Sequence, residues 1–150
     1  MAVTAYWYAK GFLAAFNKEV DFAADAIKVA LTTSTYTPDQ DAHDYFDDVT
    51  NEVVGDGYVA GGHALGTPSI ANTENVIKLD GDDTVWEAST ITARRAVVYD
   101  STPGTAATNP LLTWIDFGAD EVSTAGDFTI AYHANGIATI TAADTAGYPA

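Results

Sequence analysis

Hydrophobic positions recur along this chain with two periods. Between Ala5 and Lys18, Tyr8, Phe12 and Phe16 fall four residues apart, with Ala9 and Leu13 beside them. That spacing draws one stripe along a helix. Gly11 interrupts the stripe and costs a helix about 1 kcal/mol relative to alanine, so a pair of short strands is the competing reading. After a turn region from Asn17 to Asp25 the period shortens to two. "AIKVALT" (26–32) sets Ile27, Val29 and Leu31 on one face, the pattern of a half-buried strand. The runs "NVIKLD" (75–80), "TVWEA" (84–88), "TITARRAVVYD" (90–100) and "LLTWIDF" (111–117) also read as strands, as do "DFTIAYH" (127–133) and "GIATITA" (136–142).

Turn formers separate these runs. "GDGYVAGGHALGTPS" (55–69) reads as turns and short extended pieces, "DGDD" (80–83) as a turn, and "STPGTAATNP" (101–110) and "GADEVSTAGD" (118–127) as loops. Asn135-Gly136 is the strongest hairpin signal and predicts that 127–133 and 136–142 pair with each other. Seven to nine strands result, with no repeat or linker. The pattern predicts one mainly β domain over residues 1–150. It is an antiparallel β-sandwich, jelly-roll-like, with a short N-terminal helix; residues 1–22 form the helical or arm segment.

With 150 residues, 47% of them hydrophobic, the chain can build a core and is no disordered acidic tail. Six basic residues against 21 acidic ones give a net charge of −15. No basic patch is on offer for nucleic acid, and anionic membranes are disfavoured for the same reason. The start, "MAVTAYWYAKGFLAAF", has neither a basic leader nor a long apolar run, so it reads as neither a signal peptide nor a membrane span, and synthesis in a cytoplasm is expected. There is no cysteine for a disulfide or a thiolate metal site.

Candidate chemistry centres on "YTPDQDAHDYFDDV" (36–49), with five aspartates within ten positions. Asp39, Asp41 and Asp44 are the candidate ligands for calcium, which prefers several oxygens from a short loop. The EF-hand pattern fails, since His43 stands at position five and glycine is missing from position six. The competing reading is a turn whose aspartates accept backbone N–H bonds and whose Tyr45, Phe46 and Val49 anchor it to the core, with Asp47 or Asp48 capping a helical turn. His43, His63 and His133 show no metal-binding spacing. The serines lack a nucleophile elbow, and the glycines around 55–66 lack the Lys-Ser/Thr of a phosphate loop. Neither an enzyme nor a cofactor is expected.

Trp7, Trp86 and Trp114 raise a second possibility, an aromatic platform for sugars, against the commoner use of such rings in packing. Arg94 and Arg95 are adjacent on a predicted strand and should point to opposite faces. The one facing inward then needs a carboxylate, from its own chain or from a neighbouring subunit. Tyr6, Trp7, Tyr8 and Phe12 make an aromatic N-terminal segment that would form an unusual exposed patch on a monomer. With Arg94 and Arg95 they are the candidate interface residues.

Several stretches resemble a family of small virion structural proteins of tailed bacteriophages and prophages. They are Thr37-Pro38-Asp39-Gln40-Asp41, Asp44-Tyr45, Asp48-Val49-Thr50-Asn51-Glu52-Val53, Gly57-Tyr58 with Gly61-Gly62, and Ala96-Val97-Val98-Tyr99-Asp100. The resemblance covers most of the chain. It departs at Arg95, where the family more often has an aromatic residue. It implies a structural role in the phage particle, with assembly in the host bacterial cytoplasm. The expected role is a capsid decoration (cement) protein on the major capsid protein shell, as a homo-oligomer, a trimer foremost. A tail or head-fibre component, or a carbohydrate-binding module for host attachment, is the alternative. The resemblance brings no catalytic residue with it.

Overall fold

The structure is a computed structural model and describes residues 3–143. Eight strands form two antiparallel sheets. The larger sheet takes β1 (Thr4–Trp7), β7 (Leu111–Ile130), β6 (Thr84–Asp100), β2 (Ile27–Thr32) and β3 (His63–Ala64), in that spatial order. The smaller orders β4 (Ser69–Thr73), β5 (Val76–Asp80) and β8 (Ala138–Thr141). One helix, α1 (Ala9–Phe16), follows β1. The fold is the expected β-sandwich-like arrangement with a short N-terminal helix. A jelly roll also has eight strands; here they divide five and three.

The larger sheet is covered on both faces, which is why β2 is buried almost throughout and not on one face only. On one side Val29, Leu31, Val98 and Ile115 meet Leu79 and Ile137 from the region of the small sheet. On the other side Ala30, Val97, Tyr99, Leu111 and Trp114 are covered by Tyr8 and Tyr36, with Phe46 and Val49 packed against them. These last three covering residues come from the acidic segment.

The N-terminal segment departs from the helical stripe. Ala5–Trp7 belong to β1, which pairs antiparallel with β7 (Tyr6 opposite Trp114), and the helix begins only at Ala9. Its buried positions are Gly11 and Ala14, while Leu13 and Phe16 are exposed. The helix backbone lies close on β7: a Cβ at Gly11 would sit 2.7 Å from the Leu111 carbonyl oxygen. Only small residues fit such a contact, so Leu13 and Phe16 turn outward. β1 and α1 are therefore docked along the sheet instead of forming a free arm.

Three further expectations change. The two runs 84–88 and 90–100 join as the single strand β6, with Ala88 at φ 46° in an irregularity between Trp86 and Ser89. The expected loop 118–127 is strand, because β7 continues alongside β6 with Thr92 opposite Val122 and Ile91 opposite Ser123. The polar, glycine-bearing sequence of that stretch reflects a largely exposed ribbon, and its turn formers become local irregularities, with Gly118 at φ 82°. The Asn135-Gly136 turn does form, closed by the Gly136 N–H on the His133 carbonyl at 2.7 Å. The strand after it pairs with β5 and not with β7. The Ile137 N–H bonds the Leu79 carbonyl at 2.8 Å, which carries the chain across to the small sheet.

Candidate functional site

The acidic segment is built from short-range bonds that satisfy its own backbone. The Asp39 carboxylate accepts the N–H groups of Asp41 (3.0 Å) and Ala42 (2.9 Å), an Asx turn. These bonds, led by Ala42, hold its carboxyl below the usual range. Asp48 accepts the Asp44 N–H at 2.9 Å beside the single helical turn Phe46–Asp48. Gln40 clamps the start of the helix: its amide donates to the Trp7 carbonyl at 2.8 Å, and its own carbonyl accepts the Ala9 N–H at 2.9 Å. Asp44 lies 3.8 Å from Lys10. Asp39, Asp41 and Asp44 do not converge on one point, and among the described residues no three His, Cys, Asp or Glu side chains surround a common ion position.

Beneath the segment lies a line of hydroxyls. Tyr8 and Tyr36, both buried, touch oxygen to oxygen at 2.9 Å, and the Tyr36 hydroxyl is 3.0 Å from His43 Nδ1. The Asp39 N–H also points at that nitrogen, at 3.2 Å. Nδ1 therefore acts as an acceptor, so Tyr36 donates to His43 and Tyr8 donates to Tyr36. Burial pushes both phenols up, which keeps them as neutral donors. Tyr8 is thus a core residue and unavailable as an interface residue. Of its expected companions, Trp7 is half-buried with its indole N–H on the Thr139 carbonyl at 3.0 Å, and Phe12 packs on Trp7 at 4.8 Å between ring centres. Tyr6 stays 42% exposed, stacked on Trp114.

Arg94 and Arg95 do not diverge. Both reach Asp116, at 2.9 Å from Arg94 Nε and 3.2 Å from Arg95 Nε, so the carboxylate comes from the same chain. The cause is a register shift between Ala93 and Arg95, where Glu121 and Asp116 of β7 become successive partners. The Gly118 N–H adds a third bond to Asp116 at 2.8 Å. Burial works against ionisation of Asp116, but the bonds from Arg94 and Gly118 and the charges of both arginines outweigh it and hold its carboxyl below the usual range. Arg95 also donates to the Tyr36 carbonyl at 2.6 Å. Through it, Asp116 ties the sheet to the acidic segment.

The tryptophans form no platform: Trp86 and Trp114 are buried in opposite cores. The exposed apolar side chains are elsewhere. Leu13 (58%) and Phe16 (87%) project from α1, and Val3 and Tyr6 are exposed on the segment before it. Leu13 and Phe16 are not among the sequence candidates for an interface, and only the docking of the helix on β7 shows that they face outward. A cleft of about 760 Å³ opens at the β7 edge, floored by Ile115, Phe117, Phe128 and Ile130 with Glu121 and Asp127 among its lining residues. No helix of the described residues is long and apolar enough to cross a membrane. No family model, curated protein or solved structure shows significant similarity to the chain.

Proposed function

We propose that this chain is a non-enzymatic structural component of a tailed-phage particle, a capsid decoration protein seated on the outer surface of the major capsid protein shell. The observation that carries the reading is where the phage-like residues sit. Thr37–Asp41, Asp44-Tyr45 and Asp48-Val49 belong to the cover over the outer sheet face, Val53 at the end of the segment joins the opposite core, and Ala96–Asp100 is the end of the strand beneath. Glu52, Tyr58, Gly61 and Gly62 form the brace at its edge. Tyr58 donates to Glu52 at 2.6 Å, and the Tyr99 hydroxyl donates to the Gly61 carbonyl at 2.7 Å. A side chain on Gly62 would collide with the Val29 carbonyl. What resembles the phage family is a scaffold and not a reactive cleft, as befits a protein whose task is to hold a shape and a surface.

In this reading the surface of attachment is the N-terminal strand and helix, where Tyr6, Leu13 and Phe16 face outward and contact a sister subunit or the shell. The assembly is a homo-oligomer, a trimer foremost. Mass spectrometry of purified particles tests the role: a decoration protein is found in hundreds of copies, a tail or head-fibre part in few, and absence from mature particles rejects both. The double variant Leu13→Ser, Phe16→Ser should keep the wild-type melting temperature and lose incorporation.

A further inference from the structure

The last residue of β6 puts a carboxylate where solvent does not reach. Asp100 is 0% exposed. Its Oδ1 accepts the Thr102 N–H at 2.8 Å, and its Oδ2 has no donor among the described residues. The Asp25 carboxyl neighbours it, although the two lie far apart in sequence: Ile27, two residues after Asp25, is the strand partner of Asp100. Ionised carboxylates only accept. An oxygen facing an oxygen in a buried place needs a proton or a cation between them.

Both carboxylates are fixed independently of each other. Asp25 Oδ2 accepts the Asp21 N–H at 2.6 Å, and the Asp25 N–H returns to the Asp21 carbonyl at 2.8 Å. Across the gap, the Ser101 hydroxyl donates to the Ala26 carbonyl at 2.6 Å and the Ala26 N–H donates to Thr102 Oγ1 at 2.8 Å. These bonds hold the 21–26 turn against the end of β6. Asp25 is half-buried and lines a cleft of about 620 Å³ together with Glu19, Asp21 and Thr102, with Lys18 as the basic residue of that lining. The cleft gives access from solvent to Asp25; Asp100 is not part of its lining.

We propose that Asp25 and Asp100 bind a hard divalent cation of the calcium class, which enters from this cleft and takes its remaining oxygens from water. Carboxylate oxygens are the preferred ligands of such an ion, and it accepts water to complete its shell. The inference stands apart from the virion role: it requires only the fold.

The test is thermal unfolding of the full chain, freed of metal with chelator, at a pH of about 7.5. Calcium up to about 10 mM is compared with sodium chloride of equal ionic strength. The expected result is a saturable rise in melting temperature of several degrees with calcium only. It should be lost in Asp100→Asn and in Asp25→Asn and kept in Asp39→Asn. Asparagine can donate to the facing carboxylate, so both variants should fold. The proposal is overturned if calcium acts no differently from sodium chloride, or if Asp100→Asn keeps the response. A wild type indifferent to calcium that gains stability as pH falls from about 8 to about 5 would show that the pair holds a shared proton instead.

Discussion

The two faces of the large sheet are buried in different ways. Toward the small sheet, Leu31, Val98, Ile115 and Phe117 meet other apolar side chains, mostly contributed by regular strands. Strands satisfy their own backbone groups, so such a face needs little more than alternating hydrophobic residues. On the opposite face the cover is an irregular segment whose peptide groups join the strands only at isolated bridges, Tyr45 with Pro110 and Glu52 with Thr32. Each buried N–H and C=O there must find a partner one at a time. The aspartates, Gln40, His43 and Arg95 supply such partners, while the Tyr8 and Tyr36 hydroxyls run in line to His43 beneath. The lesson is that a cluster of acids need not be a ligand site. Here it is the polar wiring that lets a loop serve as the lid of a core.

The difference can be broken most severely on the apolar side. Leu31→Ala removes a fully buried side chain from between the sheets and should cost about 4 kcal/mol, read from chemical denaturation. Phe46→Ala on the other face should cost less, about 2 kcal/mol, because that ring is only half-buried where it stacks on Tyr99 at 4.0 Å between ring centres. A larger loss for Phe46 than for Leu31 would reverse the ranking of the faces.

Next comes the tie between sheet and cover. Asp116→Asn leaves two arginines sharing a neutral amide and should cost about 2 kcal/mol. The same group gives a pH dependence of definite sign. Its folded-state pKa is lowered, so its stabilisation is complete above the ordinary carboxylate range and is lost as pH falls through the lowered value. Asp39 is shifted in the same direction. Acid should therefore loosen the cover before the sandwich. Hydrogen exchange should show the Asp41 and Ala42 amides losing protection at a higher pH than those of Leu31 and Val98.

The smallest effect sharpens the comparison most. Tyr36→Phe deletes the middle of the donor line, leaving Tyr8 without its acceptor and His43 with the Asp39 N–H alone, and should cost about 1.5 kcal/mol. Tyr8→Phe deletes only the terminal donor and should cost about half as much. Equal losses would mean that the hydroxyls do not act in series. The same pair of substitutions offers a control on the sandwich side, since neither should alter hydrogen exchange at Leu31.

Sequence by itself determined the class of fold and much of the strand placement. Period-two alternation with glycine and proline punctuation locates β2, β5 and the core halves of β6 and β7, since alternation is the direct imprint of a sheet face. It also raised the reading of 36–49 as a turn pinned by aromatics, because Asp39 caps N–H groups two and three residues away. What tertiary structure alone decided is whatever depends on partners distant in the chain. The 118–127 stretch looks like a loop in isolation and becomes strand only through β6. The Asn135-Gly136 turn fixes a reversal of the chain but not which sheet receives the strand after it. Arg94 and Arg95 share one carboxylate because a register shift overrides simple alternation. Asp25 and Asp100 carry no local signal, because their meeting is made by the pairing of β2 with β6. The helix turns Leu13 and Phe16 outward because the closeness of β7, which pairs with β1, leaves room only for glycine and alanine.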